Sequence, residues 1–305
     1  MGSRILVTGG AGYLGSLLTA KLLDHGHQVS VVDNFSQGAT SLLPLIGHPK
    51  LVVHNADIRS NLSSLVAAHD VVFHLAALSG FPACQADPHT ARSVNVDATL
   101  ALVKGLSKSQ RIIYSSTTSL YGKSDSICDE SAKPALVSLY AQTKYEAEQI
   151  VLEHPQATAL RFATIFGVSP NMRSDLLIND FVYRALAERY LVLFESQSRR
   201  TFLHCRDAVA AFLFTLDSAN SLFGQIYNIG SDHLNYSKLE IATRVAEKTN
   251  CLLIDSSLAD VDQRNFVTSF AKIAALGYEP KISLENGLDE LIKLYTFFRP
   301  AHRRG

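Results

Sequence analysis

The sequence predicts an α/β fold in which a doubly wound parallel sheet forms a large domain and a smaller α/β lobe follows it. Short β-branched runs alternate with longer helix-like segments through the first half of the 305 residues, and this alternation loosens in the second half. Because strands separated by helices form right-handed crossovers, the runs belong to one parallel sheet. The predicted strands are residues 4–8, 28–33, 51–55, 71–75, 111–115 and 161–166.

The second half of the chain predicts the smaller lobe. Residues 176–189, 238–249 and 284–294 have helical periodicity, and shorter strand-like runs occupy residues 191–195 and 226–229. We therefore predict a Rossmann-like domain over residues 1–168, with later returns to it at about residues 200–232. Residues 169–305 form mainly a substrate-binding lobe in this prediction.

Composition and charge indicate a protein that acts on a small molecule. Lys and Arg number 28, and Asp and Glu also number 28, so no basic field favours nucleic acid or an anionic membrane. The cysteines Cys84, Cys128, Cys205 and Cys251 are far apart, which indicates neither a zinc site nor a disulfide framework. The chain starts directly with a predicted strand, and no apolar run reaches the ~20 residues of a membrane helix. We expect a cytoplasmic protein with no metal.

The first predicted strand ends in a glycine-rich turn that is typical of dinucleotide binding. Residues 4–15 read RILVTGGAGYLG, with Gly9, Gly12 and Gly15 three residues apart, and a helix follows. Backbone amides at such a helix start bind a pyrophosphate, and the missing side chains let it approach closely. An ordinary glycine turn has the same spacing, but the flanking strand and helix favour the dinucleotide loop.

Carboxylates after the second and third strands favour NAD over NADP. Asp33 lies near the ~20-residue offset at which an acidic residue accepts hydrogen bonds from the adenosine ribose. Its charge repels a 2′-phosphate, and residues 34–36 contain no arginine to compensate. Asp57 and Ile58, after the third strand, are candidates for contact with the adenine ring.

A tyrosine and a lysine form the candidate catalytic pair. Tyr140 and Lys144 open a stretch of helical periodicity, residues 140–153, and residues four apart lie on one helix face. A nearby cation and the positive nicotinamide of NAD⁺ lower the phenol pKa, so that Tyr140 becomes a usable proton acceptor. Upstream, residues 115–117 end a strand with three hydroxyl side chains that can bind a substrate oxygen.

Together these motifs resemble the extended short-chain dehydrogenase/reductase family and, within it, the NAD-dependent nucleotide-sugar epimerases and dehydratases. The resemblance covers nearly all 305 residues. The matching segments are residues 8–15, 32–34, 74–77, 95–96, 115–117, 121–122, 140–144, 161–167, 200–207, 227–230 and 276–280.

The resemblance implies a role for each matching residue. Tyr140 is the acid/base, Lys144 orients the nicotinamide ribose and tunes Tyr140, and Thr117 holds the reacting hydroxyl. The implied cofactor contacts are Gly9, Gly12, Tyr13, Leu14, Gly15, Asp33, Asn34, Asp57, Ile58, Leu75, Ala76, Ala77, Asn95, Ser115, Tyr140 and Lys144. The implied substrate contacts are Thr117, Thr164, Asn179, Arg200 and Arg264.

The implied substrate is a nucleotide-diphosphate sugar. Arg200 and Arg264 suit its diphosphate because their forked donors bind two oxygens at once; alternatively each is an ion-paired surface arginine. Asn179 resembles a position that contacts the nucleotide, and its alternative is an N-terminal helix cap. The resemblance also implies a homodimer in which helices near residues 97–106 and 140–153 pair across a two-fold axis.

Departures from the family pattern narrow the reaction. The 4,6-dehydratases usually carry an Asp-Glu pair directly after the conserved threonine, where this chain has Thr118 and Ser119, and no cysteine stands there as in 3,5-epimerases. Cys128, in the adjacent loop, is either a small apolar filler or a catalytic group. Thr164 and Ser79 replace an asparagine and a lysine found in related enzymes, which leaves the polarity of the sugar site open.

We therefore predict C4 epimerisation of a UDP- or dTDP-linked hexose through a transient 4-keto intermediate. A dehydratase, a decarboxylase and a 4-ketoreductase of the same family are the alternatives within the enzyme class. The alternative from a different class is a non-catalytic NAD sensor. Sensors usually lose the tyrosine–lysine pair, so the presence of Tyr140, Lys144 and Thr117 together favours an enzyme.

Overall fold

A computed structural model of the chain describes residues 2–218, 222–258 and 264–299. The strands are β1 (Arg4–Thr8), β2 (Gln28–Asp33), β3 (Leu51–Asn55), β4 (Val71–His74), β5 (Arg111–Thr117), β6 (Lys123–Cys128), β7 (Ala157–Phe162), β8 (Thr164–Phe166), β9 (Tyr190–Phe194), β10 (Arg199–His204), β11 (Gln225–Ile229), β12 (Asn235–Ser237), β13 (Leu252–Ser256) and β14 (Asn265–Thr268). The helices are α1 (Tyr13–Asp24), α2 (Ser63–Ala67), α3 (Phe81–Ala86), α4 (Pro88–Arg92), α5 (Ala98–Lys104), α6 (Leu139–Leu152), α7 (Leu177–Ala187), α8 (Cys205–Asp217), α9 (Lys238–Thr249), α10 (Ala271–Ala274) and α11 (Leu284–Tyr295).

Seven strands of the described chain form a parallel main sheet in the order β11-β7-β5-β4-β1-β2-β3. Alternate residues of each strand pack on opposite faces: Val7 and Phe73 belong to one apolar cluster, and Leu6 and Val72 belong to another. The strand order reverses between β1 and β4. Their carboxyl ends therefore flank the crevice in which open α/β sheets bind ligands. The predicted doubly wound α/β fold is confirmed.

Three small sheets complete the described part of the chain: β12-β10-β8, β13-β9 and β14-β6. Helices α7, α9 and α11 pack around a further apolar core that includes Ile178, Val182, Ile241, Val245 and Leu288. Helix α8 packs instead against α1, beside the main sheet. None of the helices in the described ranges is long and apolar enough to span a membrane.

The prediction of a single strand over residues 161–166 is wrong. β7 begins earlier, at Ala157, and ends at Phe162, and β8 begins at Thr164. The chain changes sheets at Ala163, because β7 pairs with β5 and β11 whereas β8 pairs with β10. Residues 157–160 read ATAL, and alanine carries little strand propensity, so the sequence pattern does not reveal this start.

Candidate active site

The loop that joins β1 to α1 leaves backbone amides open at the crevice. Gly9 has a φ of 72°, and a Cβ at this position would lie 2.8 Å from the backbone nitrogen of Ala76. A Cβ at Gly15 would clash with the Gly9 carbonyl oxygen. Helix α1 begins at Tyr13 with Gly12 as its N-cap, and no side chain caps its first turn. The first-turn amides are therefore available to an anion.

Asp33, at the end of β2, is fixed beside this loop. Its Oδ2 accepts a hydrogen bond from the Ala11 amide at 3.0 Å, and its Oδ1 accepts one from the Phe35 amide at 2.9 Å. Each carboxylate oxygen has a second lone pair. The carboxylate can therefore accept hydrogen bonds from the two hydroxyls of a ribose while it stays anchored to the loop.

Asp57 lies in a polar cluster with two neighbours. Arg59 donates from Nε to Oδ1 and from Nη2 to Oδ2 of Asp57, both at 2.8 Å, and Asn34 Nδ2 donates to Oδ2 at 3.2 Å. The hydrogen bonds from Arg59 lower the pKa of Asp57. Sequence analysis missed Arg59, whose guanidinium is neutralised by Asp57. Ile58, between them, is buried.

The segment after β4 is tied to the glycine loop and to α6. The Ala76 amide donates to the Thr8 hydroxyl at 3.2 Å. Asn95 accepts from the Leu78 amide at 2.8 Å and donates from Nδ2 to the Thr143 hydroxyl at 3.0 Å, so its side chain is buried behind this segment. The residues predicted to contact the cofactor here, besides Asn95, are half-buried: Leu75, Ala76 and Ala77.

Tyr140 and Lys144 lie one turn apart at the start of α6. The Ser138 hydroxyl caps this helix by accepting a hydrogen bond from the Ala141 amide at 3.1 Å, which fixes the first turn. Tyr140 is half-buried, and only 3% of Lys144 is exposed. The predicted helix and the shared face of the pair are thus present in the structure.

Burial changes the pKa of both residues. It raises the pKa of Tyr140, although hydrogen bonding to Ser79 and Thr117 and the charge of Arg173 oppose this rise. It lowers the pKa of Lys144 to about 7, against the charge of Glu148. The pKa of Tyr140 is therefore raised where a lowered value was expected from a nearby cation, because desolvation outweighs the opposing contributions. The effect of the positive nicotinamide of NAD⁺ on this pKa stays a prediction.

The end of β5 brings hydroxyl groups next to Tyr140. Thr117 Oγ1 accepts a hydrogen bond from the Ser119 amide at 3.1 Å. Arg264 Nη1 donates to Ser119 Oγ at 2.5 Å, so this predicted substrate arginine reaches the same end of the sheet. Thr118 turns inward and donates to the Phe162 carbonyl at 3.2 Å. Neither residue after Thr117 supplies an acid or a base, and Ser115 is half-buried on β5.

The other predicted substrate residues lie on three elements. Arg200 is buried on β10, and Thr164 is half-buried on β8. Asn179 is the third residue of α7, whose N-cap is Leu176, so the alternative interpretation as a cap is wrong. Its Oδ1 accepts a hydrogen bond from the Gly167 amide at 2.9 Å, and its side chain is fully buried.

The family model described as the NAD-dependent epimerase/dehydratase family matches residues 5–230 of the chain. The chain belongs to this family.

Similar proteins agree with this membership. The chain is 28% identical to UDP-glucuronic acid decarboxylase 1 of Danio rerio, over 96% of this chain and 72% of that protein. It is also 28% identical to UDP-N-acetyl-alpha-D-glucosaminuronate decarboxylase of Bacillus cytotoxicus, over 97% of this chain and 98% of that protein. The crystal structure of UDP-glucuronic acid 4-epimerase from Bacillus cereus, in complex with UDP-glucuronic acid and NAD, superposes with a TM-score of 0.87 at 25% identity, covering 96% of this chain and 99% of that one.

This family member has a crevice that fits NAD. The open amides of α1, the close approach of Gly9 to β4 and the anchored Asp33 suit a pyrophosphate and an adenosine ribose. No group of three or more His, Cys, Asp or Glu residues that could hold a metal ion occurs in the described ranges. Tyr140 and Lys144, at the start of α6, bring a phenol and an ammonium group to this crevice.

One residue near Tyr140, Arg173, was not predicted to have a role, and it contacts Ser79, which the sequence had marked only as a departure from related enzymes. Arg173 pairs with Asp175 through Nε at 2.8 Å and directs Nη1 to Ser79 Oγ at 3.4 Å. Both Arg173 and Ser79 act on the pKa of Tyr140. Arg173 lies in the loop before α7, and no periodicity or spacing in that loop connects it to Tyr140. Only the tertiary structure brings them together.

Cys128 packs in an apolar cluster with Leu120, Tyr121 and Phe266. Its thiol is buried and contacts the Ser126 carbonyl oxygen at 3.6 Å. These surroundings fit the interpretation of Cys128 as an apolar filler in this family member.

A polar cavity of about 510 Å³ has neither Tyr140 nor the predicted diphosphate arginines in its lining, but two lining residues are close to those arginines in the sequence. Asn265, which follows Arg264, and Ser198, which precedes Arg200 by two residues, both line it. The other lining residues are Lys123, Glu195, Ser196, Gln197, Asp255 and Ser256.

Proposed function

We propose that the protein catalyses C4 epimerisation of a UDP-linked hexose through a transient 4-keto intermediate. The observation that carries this proposal is the placement of Tyr140 beside Thr117 at the crevice that fits NAD, with Lys144 one turn below. The cofactor, when bound, supplies a hydride acceptor and donor for the sugar C4. The UDP moiety is supported by the substrates named for the similar proteins.

In this proposal the side chains around the sugar have the following roles. Tyr140 accepts the proton of the C4 hydroxyl and returns it to the same oxygen after the keto sugar has turned. Thr117 holds that oxygen by a hydrogen bond. Lys144 binds the nicotinamide ribose and favours the phenolate of Tyr140. Thr164 contributes a further hydroxyl to the sugar site.

Arg200 and Arg264 anchor the diphosphate in this proposal, and the fully buried Asn179, at the start of α7, supports the nucleotide site by holding the Gly167 backbone. Such anchoring holds C4 in reach of the nicotinamide, which requires about 3–3.5 Å between the reacting atoms. We place the nucleoside in the polar cavity lined by Ser198 and Asn265, because these residues neighbour the diphosphate arginines in the sequence and the lining has polar side chains for a base and a ribose.

The cofactor is held by three groups of residues in this proposal. The pyrophosphate lies on the glycine loop, and the adenosine lies on the side chains after β2 and β3. The nicotinamide lies between the segment after β4 and helix α6. The residues concerned are Gly9, Gly12, Tyr13, Leu14, Gly15, Asp33, Asn34, Asp57, Ile58, Leu75, Ala76, Ala77, Asn95, Ser115, Tyr140 and Lys144.

We also propose the finer organisation. Residues 1–168, with the return of β11, form the cofactor domain, and residues 169–305 mainly cover the substrate. The protein is a cytoplasmic homodimer that pairs through α5 and α6, as the family resemblance implies. These two helices have exposed residues that a second copy of the chain could contact, namely Ala101, Gln142 and Gln149. Their exposure supports the proposed dimer contact.

The test is conversion of a nucleotide sugar. NAD-loaded protein is incubated with UDP-glucose, UDP-N-acetylglucosamine and UDP-glucuronic acid in turn, and proton NMR identifies the C4 epimer. Tyr140→Phe should lose about 10²–10⁴-fold in turnover with almost unchanged substrate affinity. Tyr145→Phe is the matched control, because Tyr145 packs beside the Cys128 cluster instead. Bound NAD without product from any sugar contradicts the proposal and favours a sensor.

A second candidate is decarboxylation of a UDP-linked uronic acid. Arg173 pairs with Asp175 through Nε and Nη2 but directs Nη1 to within 3.4 Å of Ser79 beside Tyr140, where this third nitrogen can donate a hydrogen bond to a sugar carboxylate. The same oxidation at C4 would make that carboxylate part of a β-keto acid, which loses carbon dioxide readily. Release of carbon dioxide and a UDP-pentose from UDP-glucuronic acid identifies this reaction, whereas a C4 epimer with all carbons retained identifies epimerisation.

A further inference from the structure

Lys144 rests on the face of an aromatic ring. Its Nζ lies 4.1 Å from the centroid of the Tyr114 ring, which is buried on β5 beneath α6. In the described part of the chain no side chain or carbonyl group forms a hydrogen bond or ion pair with this Nζ. The ring face is therefore the direct contact of the ammonium group.

The main sheet fixes the ring. Tyr114 pairs in register with His74 on β4 and with Ala159 on β7. The His74 and Tyr114 rings lie 5.6 Å apart, and the small side chain of Ala159 leaves room on the other side. The Tyr114 hydroxyl lies 3.5 Å from the Lys144 carbonyl oxygen. The ring is thus held by its neighbours before any ligand binds.

The other titratable groups around Lys144 supply little net charge. Burial lowers the pKa of His74 to about 3 and raises the pKa of Cys84 to about 11, so both are neutral near pH 7. Glu148, one turn further along α6, pairs with Arg161 at 2.6 Å, and both side chains are buried. The charge of Glu148 is therefore largely matched by Arg161.

We propose that Tyr114 is a positioning residue whose ring face holds the Lys144 ammonium in the crevice and offsets part of the cost of burying its charge. The negative face of an aromatic ring attracts a cation, and the attraction grows when the pair is removed from water. Tyr140, a neutral phenol before reaction, does not supply this charge. The catalytic value of the contact rests on the proposed function, whereas its effect on Lys144 itself does not.

Ring variants test the proposal. Tyr114→Phe keeps the ring face, and Tyr114→Leu removes it. In protein labelled with ¹³C at lysine Cε, the chemical shift of Lys144 reports its protonation as the pH changes, and Lys144→Met identifies the signal. We expect Tyr114→Leu to lower the pKa of Lys144 by about one unit and Tyr114→Phe to leave it unchanged.

A pentafluorophenylalanine in place of Tyr114 keeps the volume and reverses the charge of the ring face, so it serves if Tyr114→Leu does not fold. Identical Lys144 titrations in the phenylalanine and pentafluorophenylalanine proteins overturn the proposal.

A second readout is the pH dependence of turnover. With a sugar that reacts, the pH at which kcat falls on the alkaline side should be lower in Tyr114→Leu, by the same one unit as the pKa of Lys144. A uniform loss of turnover at every pH, with the titration unchanged, marks a merely structural role and also overturns it. If no sugar reacts, the proposed function fails while the titration still decides the role of Tyr114.

Discussion

We expect a single carboxylate to govern the preference between the two nicotinamide cofactors. Asp33 is anchored to the glycine loop through the Ala11 amide, and Asp57 neutralises Arg59, so the charge of Arg59 is not free to balance a 2′-phosphate. Asp33→Ala should weaken NAD binding about tenfold or more and narrow the preference over NADP. Fluorescence titrations with both cofactors measure the two dissociation constants. Equal or tighter NADP binding by the unmodified protein contradicts this assignment.

Lys144 makes stability depend on pH. Burial lowers its pKa from 10.5 to about 7, so between these values the unfolded chain binds a proton that the folded chain does not. The free energy of unfolding therefore rises with pH in this window, by at most ~1.4 kcal/mol per unit from this residue. Lys144→Met removes this contribution. In urea unfolding without cofactor, the stability of the wild type minus that of the variant should increase from pH 7 toward pH 10. If this difference in stability stays constant between pH 7 and pH 10, the prediction is contradicted.

Motif spacing reveals some site residues and not others. Tyr140 and Lys144 share a helix face because they are four residues apart, and the sequence shows this directly. Tyr114 has the pattern of an ordinary core residue of β5, and its contact with Lys144 depends on how α6 crosses the sheet. Arg173 and Ser79 meet Tyr140 from separate loops. Sequence periodicity does not encode such tertiary contacts, so Tyr114 and Arg173 became visible only in the structure, as did the contact of Ser79 with Tyr140.

The first turn of α1 tolerates no side chain at Gly15, where it packs against the glycine loop. A Cβ at Gly15 would meet the Gly9 carbonyl oxygen and the Gly10 Cα, which are both backbone atoms and do not move easily. Gly15→Ala should destabilise the protein by about 1–3 kcal/mol and abolish tight NAD binding. Gly47→Ala is the matched control, because no atom lies within 4 Å of a Cβ there. Thermal unfolding and NAD titration of both variants check this. Equal behaviour of the two variants would falsify the steric argument.

Strand prediction succeeds where β-branched residues dominate. β1, β2 and β3 begin and end where the sequence predicts, because runs such as QVSVVD have strong strand propensity. β7, which lies between β5 and β11, starts with ATAL, and the alanines in this run give it little strand propensity. The change of sheet at Ala163 is equally absent from the sequence pattern, because Phe162 and Thr164 on either side of it both favour strands and no glycine or proline marks a break. Packing rather than propensity sets these boundaries.

Assembly into a homodimer is a prediction for the whole molecule. The exposed residues of α5 and α6, among them Ala101 and Gln149, are the proposed contact surface. Light scattering should give the mass of two chains at micromolar concentration, and a charge introduced by Ala101→Asp should shift the equilibrium toward one chain. Lys108→Asp, at an exposed position between α5 and β5, is the control. A monomeric wild type at that concentration contradicts the proposed interface.

The main sheet depends on residues from both halves of the chain. All six residues of β7 are buried, and β11 pairs with its outer edge. Helix α8 adds Val209 and Phe212 to the core beside the sheet. A fragment of residues 1–168 should therefore lack cooperative unfolding, whereas residues 1–232 retain both elements. Circular dichroism during urea unfolding compares the two fragments. Cooperative unfolding of the shorter fragment would show that β11 is dispensable.

The place of β11 has a consequence for synthesis on the ribosome. β7 leaves the exit tunnel more than sixty residues ahead of β11, and elongation at ~5–20 residues per second makes this gap last several seconds. During that interval the nascent chain exposes an unpaired, apolar strand edge of the kind that aggregates or recruits chaperones. A pause in translation between the codons for β7 and β11 would lengthen this exposure, so the yield of native protein should depend on codon choice in that stretch.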